Sequence, residues 1–133
     1  MTVDVVIRPM RPADESFIRA TWLRGYRDTA KGSGEWYYAA QGALIGELLR
    51  RHPARVAHYP GDLDQVLGYL VADGPVVHWL YVKGPFRRLG IGRTLLEHEA
   101  PGATSRPTTH WTRDAARLAE RLHLVRDLSK LRG

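Results

Sequence analysis

The sequence predicts a single α/β or α+β domain, and three observations carry that reading. Taken by hydrophobic period, the elements run strand, helix, helix, strand, strand, strand, helix, strand, helix. Two turn signals, Pro60-Gly61-Asp62 and Asp73-Gly74-Pro75, divide the central strands into an antiparallel meander. The 133 residues are 44% hydrophobic and 26% charged, enough to bury one core and too few for two ordinary domains. One domain over residues 1–133 is therefore expected.

Each element has a local reason. Val3, Val5, Val6 and Ile7 form a β-rich run closed by Pro9 and Pro12, which predicts a strand over 3–9. Asp14 is placed to cap a helix through Arg27, with Phe17, Ile18, Trp22 and Tyr26 at helical spacing. After a loop around Lys31-Gly32-Ser33-Gly34, a second helix runs from Glu35 to Arg51 and is stopped by Pro53. Strands follow over 55–59, 65–72 and 76–82, and Gly84-Pro85 ends the third. A helix is predicted from Gly92 to Glu99, a strand over 105–111, and a last helix from Asp114 to about His123. In that helix Ala115, Leu118, Leu122 and Val125 are in register.

Composition excludes several chemistries. With no cysteine there is no disulfide framework, thiolate zinc site, iron–sulfur cluster or thiol nucleophile. The histidines show no metal-ligand spacing, so no metal is expected. No apolar run approaches the roughly 20 residues that span a bilayer, and no basic lead precedes an apolar stretch. A cytoplasmic location is the expectation. Twenty Lys+Arg against fourteen Asp+Glu leave a net charge of +6, mostly from arginine. Such a surplus suits a polyanionic ligand or an acidic partner, nucleic acid included, or serves solubility alone.

The informative stretch is Val76 to Leu96, read as strand, tight loop and helix. The loop Arg87-Arg88-Leu89-Gly90-Ile91-Gly92 feeds directly into the helix. Unpaired N–H groups and the dipole at a helix start favour an anion, and glycine lets the backbone come close to it. Arg87, Arg88 and Arg93 add full charges. The pattern is neither a P-loop, which needs Gly-Lys-Ser/Thr, nor the dinucleotide fingerprint.

Arg87-x-x-Gly90-x-Gly92 after a strand ending in Tyr81-Val82 resembles the acyl-CoA pyrophosphate loop of the GNAT acetyltransferases. The order of elements, the opening Ile7-Arg8-Pro9 with Asp14, and Leu67-Gly68-Tyr69 are similar to that family as well. More narrowly, Trp22-Leu-Arg-Gly-Tyr26 and Thr109-His110-Trp111 resemble small GNAT-like proteins encoded by bacteriophages, which would place the chain in the host cytoplasm. The resemblance implies a mixed, mostly antiparallel sheet flanked by helices, here with a shortened C-terminal end. It implies a cleft where the fourth and fifth strands splay apart, with acetyl-CoA as co-substrate. Its pantetheine arm would lie along Leu80, Tyr81 and Val82, and its diphosphate on the amides of Leu89, Gly90, Ile91, Gly92 and Arg93. A small-molecule or protein amine would attack the thioester directly.

The family often carries a tyrosine acid in its last helix, but Ala119 stands at that position here, with Thr112 and His123 where Asn and Gly are usual. The catalytic groups must come from elsewhere. His78 is one candidate base, on the face of Val76, Leu80 and Val82 if no bulge intervenes; His110 is the other. Glu35 begins the second helix, where the resemblance implies substrate-side residues, and Tyr81 is a candidate replacement for the lost acid; their plainer readings are a helix-start acid meeting the dipole and a packing tyrosine. The aromatics Trp22, Tyr26, Trp36, Tyr37 and Tyr38 either wall a substrate pocket or pack the core. The alternative to an enzyme is a catalytically degenerate binding or structural module, for instance a phage accessory or virion-associated protein. A truncated sheet edge also favours a homodimer.

Overall fold

The computed structural model describes residues 4–29, 35–127 and 129–130; the side chains of 26–29, 35–38 and 113 lie outside that description. The elements are β1 (Val6–Pro9), α1 (Glu15–Thr29), α2 (Glu35–Arg51), β2 (Arg55–His58), β3 (Val66–Asp73), β4 (Val76–Val82), α3 (Ile91–Glu99), β5 (Arg106–Thr108), α4 (Arg113–Leu122) and β6 (Leu124–Arg126). They form one mixed sheet in the order β1-β2-β3-β4-β5-β6. The first four strands are antiparallel neighbours, whereas β4–β5 and β5–β6 are parallel.

The sheet is covered on both faces. Ile18 and Trp22 of α1 and Ile45, Leu48 and Leu49 of α2 pack on Val56, Tyr69, Val71 and Trp79. On the other face Ile91, Leu95 and Leu96 of α3 and Leu122 of α4 pack on Ala57, Leu67, Leu70 and Val77. The β2–β3 and β3–β4 turns run through Gly61 and Gly74 with positive φ, as the Pro-Gly-Asp and Asp-Gly-Pro signals require.

The chain start is pinned by charge. Arg8 grips Asp14 through two hydrogen bonds, at 2.7 and 3.2 Å, and the Arg11 N–H adds a third at 2.7 Å. Asp14 thus caps backward onto Arg11, ahead of α1. Burial alone would raise its pKa, but the Arg8 bonds, the Arg11 N–H and the two positive charges together hold it below the usual carboxylate value.

Three expectations are corrected. The strand expected over 105–111 is paired only at Arg106–Thr108. The last helix does not carry Val125 in register. His123 turns left-handed at φ 59 and closes α4, and the chain leaves as β6, with Val125 half exposed. A helix-length apolar pattern had hidden a three-residue strand, because Leu122, Leu124 and Val125 fit either period. The first strand spans Val6–Pro9 among the described residues.

Gly68 couples this core to the segment of interest. It lies opposite Val82, and a Cβ there would stand 2.6 Å from the Tyr81 carbonyl oxygen. That oxygen belongs to rigid backbone, so the strand would have to move. Gly68→Ala is expected to cost about 1–3 kcal/mol in urea unfolding. An unchanged midpoint would mean that β4 can shift freely at this point.

Candidate active site

The site begins with a failure of strand pairing. β3 and β4 pair along their length, from Gly68↔Val82 to Asp73↔Val76. β4 and β5 meet only at Val77↔Thr108, extended by one bond from the Thr109 N–H to the Val77 carbonyl at 2.9 Å. Beyond that point the two parallel strands diverge. Leu80, Tyr81 and Val82 keep β3 on one side and have no β5 partner on the other. Arg106 holds β5 in place from below, donating to the Leu122 carbonyl at 2.9 Å and to Glu97 at 3.0 Å.

At the open end of this gap the chain turns into α3. A single 3-10 turn over Gly84–Phe86 leads to Arg87, and then Arg88 and Gly90 both adopt left-handed backbone, at φ 68 and 83. Such alternation is the backbone from which anion-binding concavities are made. Gly90 is the N-cap and offers no side chain to the first amides of α3, so those of Ile91, Gly92 and Arg93 lack a side-chain cap. Thr94 turns back to accept nothing from them; its hydroxyl donates to the Gly90 carbonyl at 2.8 Å. Gly92 faces the wall of the gap: a Cβ there would stand 3.4 Å from Leu80 and 3.8 Å from Val82. Leu89 lies two residues before the first of these amides in sequence.

Arg87 has a different place from the one its charge implied. Its Nε donates to the Val82 carbonyl at 3.0 Å, and Nη1 lies 3.9 Å from Asp114 of α4. It braces the loop against the end of β4. Arg88 and Arg93 carry no ion pair among the described residues.

His78 and His110 come together at the closed end of the gap. The β3–β4 register passes from Val71↔Trp79 to Ala72↔Val77, which leaves His78 as the extra residue of a β-bulge. The condition attached to its face therefore fails. Leu80 and Val82 pack toward α3, whereas the His78 ring stacks on His52, just past α2, at 5.0 Å. His78 is 2% exposed, and its Nδ1 lies 3.0 Å from the Thr109 hydroxyl. The Nδ1 of His110 lies 3.0 Å from the same hydroxyl. The His110 ring is edge-on to both Trp22 and Trp79, which stack on each other at 5.4 Å.

Both imidazoles are held neutral. Burial pushes His78 down to about 4, and His52, His110 and Arg51 push the same way against Asp73. Burial also brings His110 to about 4, opposed by a hydrogen bond with the backbone of His78. Neutral imidazole is the form that accepts a proton.

The remaining candidates fall elsewhere. Tyr81 stacks on Tyr69 at 5.3 Å and meets Phe17 edge-on, so it packs the core. Trp22 is fully buried, with its ring stacked on Trp79. The side chains of Tyr26, Glu35, Trp36, Tyr37 and Tyr38 lie outside the described residues. Thr112 accepts the Ala115 N–H at 3.0 Å and caps α4, and Ala119 packs on the α3 face of the core. Among the described residues no three His, Asp or Glu are placed to hold a metal, and no helix is long and apolar enough to cross a membrane. The sequence reading missed Thr109 and His52. Thr109 was visible beside His110, but its position opposite His78 depends on a parallel register that sequence does not encode locally.

The chain matches no protein-family model and no curated protein by sequence. It is similar in structure to apo YjaB from Escherichia coli, with TM-score 0.66 and 23% identity over 90% of this chain and 82% of that one. It is also similar to a GCN5-related N-acetyltransferase from Rhodopseudomonas palustris, with TM-score 0.61 and 21% identity over 91% and 82%. A third match is a GNAT family acetyltransferase from Brucella melitensis in complex with acetyl-CoA, with TM-score 0.51 and 20% identity over 86% and 81%. The fold of this chain is the GNAT fold. None of these three is named as a phage protein, and that narrower likeness rests on sequence alone.

His78 and His110 set an acid limit on stability. Their folded pKa values lie below the ordinary 6.5. Between pH 6.5 and about 4 the unfolded chain therefore binds more protons than the folded one, and stability falls as pH falls through that window. The urea midpoint should drop across it, by an amount worth a few kcal/mol. In the double variant His78→Gln, His110→Gln the profile should be flatter. A wild-type midpoint constant from pH 6.5 to 4 would contradict the burial argument.

Proposed function

We propose that this chain is an N-acyltransferase that moves an acetyl group from acetyl-CoA to an amine. The observation that carries the reading is the gap between β4 and β5 that opens onto the uncapped amides of α3. An extended amide-bearing arm fits along Leu80–Val82, where backbone groups face no β5 partner. A diphosphate fits the left-handed turn at Arg88–Gly90 and the amides that follow, with Arg88 and Arg93 as counter-charges. Gly92 keeps the start of α3 free of a side chain beside Leu80 and Val82. Neighbours of the same fold include one in complex with acetyl-CoA and one, AAC(6')-Iy, in complex with a bisubstrate analogue of CoA.

The chemistry is direct attack. The amine nitrogen bonds to the thioester carbonyl carbon, the C–S bond breaks, and the thiolate leaves. The nitrogen must lose a proton, and His78 or His110 at the apex of the gap is the base. The tyrosine acid of the family pattern has no counterpart at Ala119, so the thiolate takes its proton from water. The acceptor is a small-molecule or protein amine reaching the apex from the α1–α2 side, where His78 faces. A second reading, a module that binds without turnover, is favoured by Ala119 alone.

Calorimetry tests the binding half. Acetyl-CoA should bind the wild type, and Arg88→Glu and Arg93→Glu should each weaken it about tenfold, or about 1.4 kcal/mol. Release of free thiol with pooled amines tests turnover. No binding at millimolar acetyl-CoA would contradict the proposal, and binding without any thiol release would leave the module reading.

A further inference from the structure

The Thr109 hydroxyl stands between two imidazoles, 3.0 Å from the Nδ1 of each. A hydroxyl has one proton to donate and lone pairs to accept. Among the described residues its only other hydrogen-bond partner is the Val77 carbonyl at 3.5 Å, at the outer limit of a hydrogen bond, and that carbonyl already takes the Thr109 N–H at 2.9 Å. The hydroxyl proton therefore goes to an imidazole. One ring must then accept at Nδ1 and the other must donate from Nδ1, so their tautomers are opposite and linked.

We propose that Thr109 joins His78 and His110 into one proton relay across the apex of the gap, with Thr109 as its positioning residue. The groups around the relay set its direction. His52 is stacked on His78, Arg51 lies nearby on α2, and Asp73 at the end of β3 is the opposing acid. The Arg51 guanidinium makes His78 the poorer place for a positive charge. His110 is flanked by Trp22, Trp79 and the backbone of His78. In the resting state His78 carries its proton on Nδ1 and donates to Thr109, whose hydroxyl donates to the Nδ1 of His110. His110 then carries its own proton on Nε2.

The transfer balances. The free Nε2 of His78 takes a proton from the attacking amine. The His78 Nδ1 proton passes to Thr109 Oγ1 as the hydroxyl proton passes to His110 Nδ1. Two bonds to hydrogen break within the relay and two form, His78 ends neutral in the other tautomer, and the charge rests on His110. Use of the relay for an amine rests on the acyltransferase reading; the linked tautomers do not.

The tautomers are read directly by nitrogen NMR of the imidazoles in the folded protein. Wild type should show His78 with the proton on Nδ1 and His110 with it on Nε2, and Thr109→Ser should keep that pattern. Thr109→Val, which keeps the shape and removes the hydroxyl, should lose it. The same tautomer in both wild-type rings, or a pattern unchanged in Thr109→Val, would overturn the relay. In kinetics, Thr109→Val should lower kcat about tenfold or more at unchanged acetyl-CoA affinity and move the acid limb of the pH profile, with Thr109→Ser restoring both. An acid limb identical in wild type and Thr109→Val would also overturn it. Absence of turnover in wild type would instead remove the acyltransferase reading and leave the tautomer result to decide the relay.

Discussion

Two parallel strands that meet at one residue pair determine the rest of this molecule. Val77 and Thr108 close the sheet between β4 and β5, and beyond them the strands diverge. Strand edges deep in a domain are costly, because each unpaired N–H and C=O wants a partner. Here the edge of β4 at Leu80–Val82 is kept open by constraints on both sides. On the β3 side, Gly68 lets the backbone of Tyr81 approach closely and holds β4 in its plane. On the β5 side, Arg106 ties the lower end of that strand to Glu97 and the Leu122 carbonyl. The gap is therefore built by packing, and a ligand with peptide-like groups is what would satisfy it.

The two ends of the gap divide the chemistry. The open end is made of backbone: left-handed turns at Arg88 and Gly90 and the uncapped start of α3. Its side chains contribute charge, and Arg87 contributes structure by bracing the Val82 carbonyl. The closed end is made of side chains. There the bulge re-aims His78 away from the α3 face and toward His52, Thr109 and His110. Binding through backbone tolerates sequence change, whereas a hydroxyl shared by two imidazoles does not. That contrast fits a chain that keeps the GNAT fold at low identity to its neighbours.

The parts legible in the sequence were those with local causes. Gly61 and Gly74 announced their turns, Pro53 ended α2, and the Arg87–Gly92 stretch marked a helix start bare of side-chain caps. The parts that were not legible depend on register. A bulge is one extra residue in an otherwise ordinary strand, and Val76–Val82 reads the same with or without it. The face of His78 and its meeting with Thr109 could not be derived for that reason. β6 escaped for another reason: three residues carry too little pattern to compete with the helix before them. The ranges and turns of the central strands were readable, and so the fold was clearer than the site it holds.

Acetyl-CoA is proposed to lie along the edge of β4 that has no β5 partner and to end on the first amides of α3. Titration of isotope-labelled protein with acetyl-CoA, followed through its backbone amide signals, reads this residue by residue. The largest shifts are expected on Leu80–Val82 and Leu89–Arg93, with smaller ones at Thr109 and His110. Amide signals unmoved at millimolar ligand, or shifts gathered instead at the far ends of α3 and α4, would contradict it.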